Sequence, residues 1–202
     1  MKTLVLATRN SDKVSEIEQA FGDLDITIQT FRELRDFPFV KEDGKSLNEN
    51  AVKKAKVISS FSGKLSLADD SGLEVEALNN RPGVLSSRFS GKNATYEQNN
   101  RKLLSLLSGI PARERTARFK CVMVLSFPSG RIENFEGRLK GEILMKARGE
   151  NGFGYDPIFF IPELGKTLAE LTLEQKNRIS HRGKVLKKVH FFLSKYISSV
   201  DC

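Results

Sequence analysis

Cysteine is scarce in this chain of 202 residues: Cys121 and Cys202 are the only two. They are too far apart to suggest a disulfide framework or the paired spacing of a zinc site. Long apolar runs are absent as well, and no stretch approaches the length of a membrane span. The first apolar run, Leu4-Val5-Leu6-Ala7, is too short for a signal-peptide core and is followed at once by Arg9 and Asn10. No internal repeat, low-complexity segment or linker composition interrupts the chain. These absences point to a cytoplasmic protein without a membrane partner, and to a single domain over residues 1–202.

What is present fits a soluble globular protein, with 39% hydrophobic and 29% charged residues. The length allows a substantial core, with room for two lobes. The net charge of +8 suits phosphate-bearing partners, whether nucleic acid or small nucleotides. A basic surface that serves solubility explains the same charge.

Strand and helix signals alternate, which predicts an α/β fold. Strands are expected at Thr3–Ala7, Ile26–Gln29, Leu65–Ala68 and Leu73–Ala77. The run Ala117–Phe127 turns at Pro128-Ser129-Gly130 into Ile132–Gly137, a hairpin, so the sheet should be mixed. Helices are expected at Ser11–Phe21, with Val14, Ile17 and Phe21 on one face, and at Ser46–Phe61, with Leu47, Ala51, Ala55 and Ile58 as the apolar stripe. Ser46 with Glu49, and Thr95 with Gln98 at the head of a helix over Thr95–Leu107, fit capping boxes. Thr172–Ile179 and Lys184–Tyr196 complete the helices.

Four segments could carry chemistry. Leu65–Ala68 ends in Asp69-Asp70-Ser71-Gly72. Adjacent carboxylates raise each other's pKa, and Mg²⁺, which prefers carboxylate, water and phosphate oxygens, would relieve the repulsion. Ser71 and Gly72 would allow a sharp turn toward a ligand; a plain polar turn is the alternative. The second segment is Thr8-Arg9-Asn10-Ser11-Asp12-Lys13, between a strand and a helix. Helix N-terminal amides suit phosphate, Thr8, Asn10 and Ser11 add hydrogen bonds, and Lys13 adds a cation. The glycines of a Walker A loop are missing, and an ordinary cap by Asn10 or Ser11 accounts for the same residues.

The third segment is Gly149–Pro157. Glycines flanking Phe153 would leave its ring open to stack on a base, and Asp156 could accept from a base edge; alternatively Phe153 and Tyr155 belong to the core. The fourth is Lys176 with Ser180-His181-Arg182-Gly183, between two helices, which offers donors to carbonyl or phosphate oxygens or a simple cap by Ser180. Glu42-Asp43-Gly44 could add a carboxylate to a metal site, or be a solvated turn.

With these segments in view, the chain resembles the noncanonical purine nucleotide pyrophosphatases, the inosine triphosphatase family. The likeness covers nearly the whole chain. It runs through Leu6-Ala7-Thr8-Arg9-Asn10, Glu49-Asn50-Ala51, Ala68-Asp69-Asp70-Ser71-Gly72-Leu73, Arg81-Pro82-Gly83-Val84, Ser87-Arg88-Phe89-Ser90-Gly91, Gly152-Phe153-Gly154-Tyr155-Asp156-Pro157-Ile158-Phe159 and Ser180-His181-Arg182-Gly183. The resemblance implies a long twisted mixed sheet flanked by helices, two lobes with a central active-site cleft, a homodimer and Mg²⁺ dependence. It implies hydrolysis of ITP, dITP and XTP to the monophosphate and pyrophosphate, with no stable nucleic-acid complex.

By position, the resemblance assigns the triphosphate to Thr8, Arg9, Asn10, Ser11, Asp12 and Lys13, and makes Asp70 the general base. Asp70, Glu42 and Asp69 become the metal-associated carboxylates. Ser71, Phe153, Gly154, Tyr155, Asp156, Lys176, His181 and Arg182 become the substrate and base pocket. Arg9 stands where many members have Gly, and its role stays open. The chain also departs from the family at Leu47-Asn48-Glu49-Asn50, where an aromatic and a second acidic residue are frequent.

The implied reaction is attack of water on the α-phosphorus with pyrophosphate leaving. A 6-oxo group on the base would accept from His181 or Arg182, whereas the 6-amino group of adenine would set donor against donor and leave a buried donor unmet. The rival is a nucleic-acid-binding module built on Phe153 and the cations. It predicts salt-sensitive binding without turnover and has no use for Asp69 and Asp70.

Overall fold

The computed structural model describes residues 2–199; Cys202 lies outside them and Cys121 is buried. The expected α/β class holds. In chain order the main elements are β1 (Lys2–Leu6), α1 (Ser11–Ala20), β2 (Ile26–Gln29), α2 (Leu47–Ser62), β3 (Leu65–Val75), β4 (Arg81–Pro82), α3 (Tyr96–Leu106), β5 (Thr116–Ser126), β6 (Ile132–Ile143), β7 (Phe159–Ile161), β8 (Lys166–Thr167), α4 (Leu173–Ile179) and α5 (His181–Ser198). Short 3-10 turns fill several connections.

The strands form an eight-stranded sheet in the order β2-β1-β3-β5-β6-β7-β8, with β4 paired to β3. It is mixed, as the hairpin predicts. β1 runs parallel to β2 and β3, whereas β4 on β3, β7 on β6 and β8 on β7 are antiparallel. In the β5–β6 turn the Phe127 N–H donates to the Arg131 carbonyl at 2.9 Å. β6 continues to Ile143, well beyond the expected Gly137.

The chain divides into two compact units. Unit 1 comprises residues 1–70, 121–137 and 183–202; unit 2 comprises 71–120 and 138–182. The division cuts β3 between Asp70 and Ser71, and α5 between Arg182 and Gly183. Each unit has its own core. In unit 1, Val14 and Ile17 from α1 and Phe21 at its C-cap pack with Leu4, Leu6 and Leu67 from the strands, and with Val185, Leu186, Val189 and Leu193 from α5. In unit 2, Leu73, Val75, Phe119 and Ile143 pack with Leu103 and Leu107 at the end of α3, and with Tyr155, Ile158 and Phe159.

Local chemistry explains the element ends. Asn10 caps α1, its Oδ1 accepting from the Asp12 and Lys13 amides at 2.9 and 3.2 Å. Thr95 and Gln98 form the expected capping box on α3, and Thr172 with Gln175 forms another on α4. At α2 the expectation is half met: Ser46 Oγ accepts from the Glu49 amide at 3.1 Å, but Glu49 Oε2 accepts from the Lys45 amide at 2.8 Å rather than from that of Ser46.

The largest departure lies at the paired aspartates. The sequence suggests one strand ending at Ala68, a sharp turn, and another strand from Leu73. The structure instead runs a single strand from Leu65 to Val75 straight through Asp69-Asp70-Ser71-Gly72. Strand partners beside β3 compensate for the weak intrinsic strand preference of Asp, Ser and Gly.

Candidate active site

An extended strand sends successive side chains to opposite faces. Asp69 and Asp70, adjacent in sequence and both buried, therefore point away from each other. Each meets its own cation. Asp69 Oδ2 is 2.9 Å from Lys13 Nζ, in the first turn of α1. Asp70 Oδ1 is 3.9 Å from Lys54 Nζ on α2, and Asp70 Oδ2 accepts from Asn50 Nδ2 at 3.0 Å.

Lys54 joins the parts of this unit-1 site. Its ammonium donates to Glu42 Oε1 at 2.5 Å and to the Asp69 carbonyl at 2.6 Å. Asn50 ties in the loop that carries Glu42, accepting from the Gly44 amide at 2.8 Å. A Cβ at Gly44 would crowd that same Asn50 oxygen.

Burial raises the Asp70 carboxyl above its ordinary value; the Lys54 and Lys13 ammoniums and the Asn50 bond oppose this without cancelling it, and Glu42 adds to it. For Glu42 burial is again the largest single effect and pushes upward, but the charge and hydrogen bond of Lys54 together with the charge of Lys13 outweigh it, and the carboxyl titrates below its ordinary value. Burial alone would lower the Lys54 ammonium, yet the carboxylates of Asp70, Glu42 and Asp69 together raise it. The unit therefore holds one buried carboxylate, Asp70, shifted toward basicity beside another, Glu42, shifted the opposite way, a pattern that separates acid–base from electrostatic roles.

Among the described residues, no group of three or more His, Cys, Asp or Glu side chains is gathered to hold a metal ion. This donor set still fits Mg²⁺, which is commonly bound through one or two carboxylates, with water and substrate phosphates completing its shell. Asp70 and Glu42, which share Lys54, are suited to that part. Asp69 faces Lys13 instead.

The remaining residues of the strand–helix junction are placed as follows. Thr8 Oγ1 accepts from the Asn10 amide at 3.2 Å. Ser11 and Asp12 lie in the first turn of α1, beside amides that carry partial positive charge. Arg9 donates to the Phe37 carbonyl at 2.6 Å and its guanidinium lies 5.7 Å from the Phe37 ring centroid, so it binds a neighbouring loop.

Unit 2 gathers the other residues. Gly152 at φ 73° begins the Phe153 loop, and a Cβ there would collide with the Asp156 carboxylate. Asp156 Oδ2 accepts from the Phe153 amide at 2.9 Å and from Lys176 Nζ at 2.7 Å. The ring of Phe153 is half-buried, with Lys176 Nζ 4.4 Å and Arg182 Cζ 5.4 Å from its centroid. Arg182 also donates to Ser71 Oγ at 3.2 Å. His181 stacks on Phe119, centroids 4.5 Å apart and planes inclined by 7°.

Two expectations change here. Tyr155, proposed for the substrate pocket, lies in the core of unit 2; its hydroxyl donates to the Ser86 carbonyl at 2.9 Å, and burial pushes its pKa upward. The ring is the apolar anchor of the loop, as the alternative reading had it. His181 and Arg182, expected between two helices, form the first turn of α5, with Ser180 ending α4.

Sequence reasoning passed over Lys54 and Asn50 as site residues. A signal for both existed, since they fall on the α2 face that carries Leu47, Ala51, Ala55 and Ile58. A lysine on a buried stripe needs a carboxylate partner.

The chain is similar to proteins of a known family. The Ham1 family model matches residues 4–192. A Geobacter sulfurreducens protein named dITP/XTP pyrophosphatase is 52% identical over 186 residues, covering 92% of this chain and 94% of its own length. A Desulforamulus reducens protein of the same name is 50% identical over 192 residues, covering 95% and 96%. Among solved structures, a HAM1 protein from Coxiella burnetii superposes with a TM-score of 0.89 at 41% identity, covering 96% of this chain and all (100%) of that one. The Staphylococcus aureus Ham1 protein gives 0.86 at 40% identity, with the same coverage. The chain belongs to the Ham1 family.

Proposed function

We propose that the chain is a nucleoside triphosphate pyrophosphohydrolase acting on noncanonical purine nucleotides (dITP, ITP, XTP and dXTP), which it cuts to the monophosphate and pyrophosphate. The observation that carries this reading is the buried Asp70, raised in basicity and flanked by Lys54, Lys13 and Glu42. Such a carboxylate suits proton abstraction from water better than an unshifted one. Family membership and the names of the relatives support the substrate class.

In this reading the α1 junction receives the triphosphate. The amides after Asn10 and the ammonium of Lys13 hold phosphate oxygens by charge and position. Thr8, Ser11 and Asp12 line the same junction, and Arg9 shapes it through the Phe37 loop. Mg²⁺, when bound, supplies charge neutralisation on the phosphates; Asp70 and Glu42 would hold it, with Asp69 supporting through Lys13. Water attacks the α-phosphorus, Asp70 takes its proton, and the α–β bond breaks to release pyrophosphate. Phe153 stacks on the base, Gly154 and Tyr155 shape its loop, Asp156 and Lys176 hold it, and Ser71, His181 and Arg182 supply polar contacts. A 6-oxo group accepts from His181 or Arg182, and an adenine 6-amino group cannot.

The reading takes residues 1–202 as a single domain. The same reading makes the protein a cytoplasmic homodimer with no stable nucleic-acid complex, which its family membership supports. Among the described residues no helix is long and apolar enough to cross a membrane. The decisive experiment incubates the protein with dITP and Mg²⁺ and identifies the products. dIMP with pyrophosphate is expected. Orthophosphate release, or oligonucleotide binding without turnover, would refute the reading, and cleavage of dGTP as efficiently as dITP would refute its base selectivity.

A further inference from the structure

We propose that Asn100, with Tyr96 one turn before it on α3, is a positioning residue for base selection: its amide fixes the Gly154 peptide and thereby the pitch of the Phe153 ring. The proposal rests on the reading of Phe153 as the base platform. Asn100 Nδ2 donates to the Gly154 carbonyl at 2.9 Å, across 54 residues of sequence. Gly154 sits at φ 66°, in a region glycine enters freely, so its own backbone does little to fix the Gly154–Tyr155 peptide, whose carbonyl Asn100 holds. On the other flank, Asp156 Oδ2 accepts from the Phe153 amide. The platform residue is thus clamped on both sides, by Asp156 before the ring and by Asn100 after it.

Tyr96 works on the ring itself. It lies four residues before Asn100, on the same face of α3, and its ring centroid is 5.9 Å from that of Phe153 at an interplanar angle of 37°. A tilted pair at this distance constrains ring orientation. The lysine and arginine beside Phe153 attract its π-face but, as cations on flexible side chains, hold it to no single angle. Asn100 Oδ1 is buried with no hydrogen-bond partner among the described residues, so the amide acts here as a donor. Asn100→Asp preserves the shape of the side chain and sets an acceptor against the Gly154 carbonyl.

The chain contains no tryptophan, so Phe153→Trp provides a fluorescence reporter of base stacking. The test compares Asn100→Asp, Asn100→Gln, Tyr96→Leu and Phe153→Ala for dITP and dATP turnover, with each fold checked by circular dichroism. Loss of the clamp should raise KM for dITP by about fivefold to tenfold, leave kcat within about twofold, and narrow the dITP-over-dATP preference. In the Phe153→Trp background, Asn100→Asp should weaken the fluorescence change on IMP binding. Asn100→Gln retains the donor and should recover part of the KM, and Tyr96→Leu, at a half-exposed site, should reproduce a smaller KM increase should Asn100→Asp fail to fold. An Asn100→Asp protein with unchanged KM and unchanged preference, or one that loses kcat alone, overturns the proposal. If Phe153→Ala raises KM while Asn100→Asp does not, positioning fails alone; if Phe153→Ala leaves KM unchanged, the base-platform reading fails with it.

Discussion

The candidate site residues of unit 1 are held mainly by full charges, those of unit 2 mainly by rings and hydrogen bonds. In unit 1, α1 and α2 each deliver one lysine to a buried aspartate, and Lys54 also holds Glu42. In unit 2 the buried Lys176–Asp156 pair serves to place a backbone amide, that of Phe153, and His181 is stacked on a phenylalanine. The contrast follows from the ligands proposed for each. A triphosphate demands charge, and charge can be buried only when every carboxylate arrives with a cation. A purine base demands a flat surface and a few directional donors, which stiff backbone and ring contacts supply at lower cost.

The comparison breaks most visibly if charge in unit 1 is removed. Asp70→Asn should cut kcat for pyrophosphate release by about a thousandfold with the fold retained; near-normal turnover would take Asp70 out of the reaction. Lys54→Met should act on stability as well as activity, because Glu42 and Asp70 lose a shared, buried cation. A cost of about 3 kcal/mol is expected in urea unfolding, and a second change, Glu42→Gln, should return part of it.

In unit 2 the matching probe is geometric. Gly152→Ala should shift the Phe153 loop, since its φ of 73° and the nearby Asp156 carboxylate leave no room for a Cβ. KM for dITP should rise by about tenfold with kcat little changed; a fall in kcat with KM constant would erase the distinction between the units. The smallest effect is expected at the exposed rim of unit 2. Arg148 and the Thr167 amide hold Glu170 below its ordinary value of 4.5. The stabilisation is therefore present above that value and lost as pH falls through the lower folded-state value. Thermal melts of Glu170→Gln and the unmodified protein should differ slightly at pH 6 and converge toward pH 3.

Periodicity and capping made most helices and long strands legible, including the α1 and α2 stripes and the Thr95–Gln98 box. The short strands β4, β7 and β8 were not, because two- or three-residue strands are defined only by their neighbours. The candidate site could be proposed from sequence wherever residue type suggests a chemistry: Lys13, Asp69, Asp70, Phe153, His181 and Arg182. Tyr155 misled because an aromatic between polar neighbours reads equally as ligand contact or core anchor. Lys54 and Asn50 were missed because a polar residue on an apolar stripe looks like noise until its partner is known.

The paired aspartates show where that boundary falls. By itself, the sequence determined an α/β chain with candidate phosphate-binding and carboxylate segments, because periodicity, caps and charge are local properties. Only the tertiary structure decided that Asp69 and Asp70 do not face each other. Strand pairing keeps β3 extended through Gly72, an extended backbone turns successive side chains to opposite faces, and lysines from two different helices then give each carboxylate its own counter-charge.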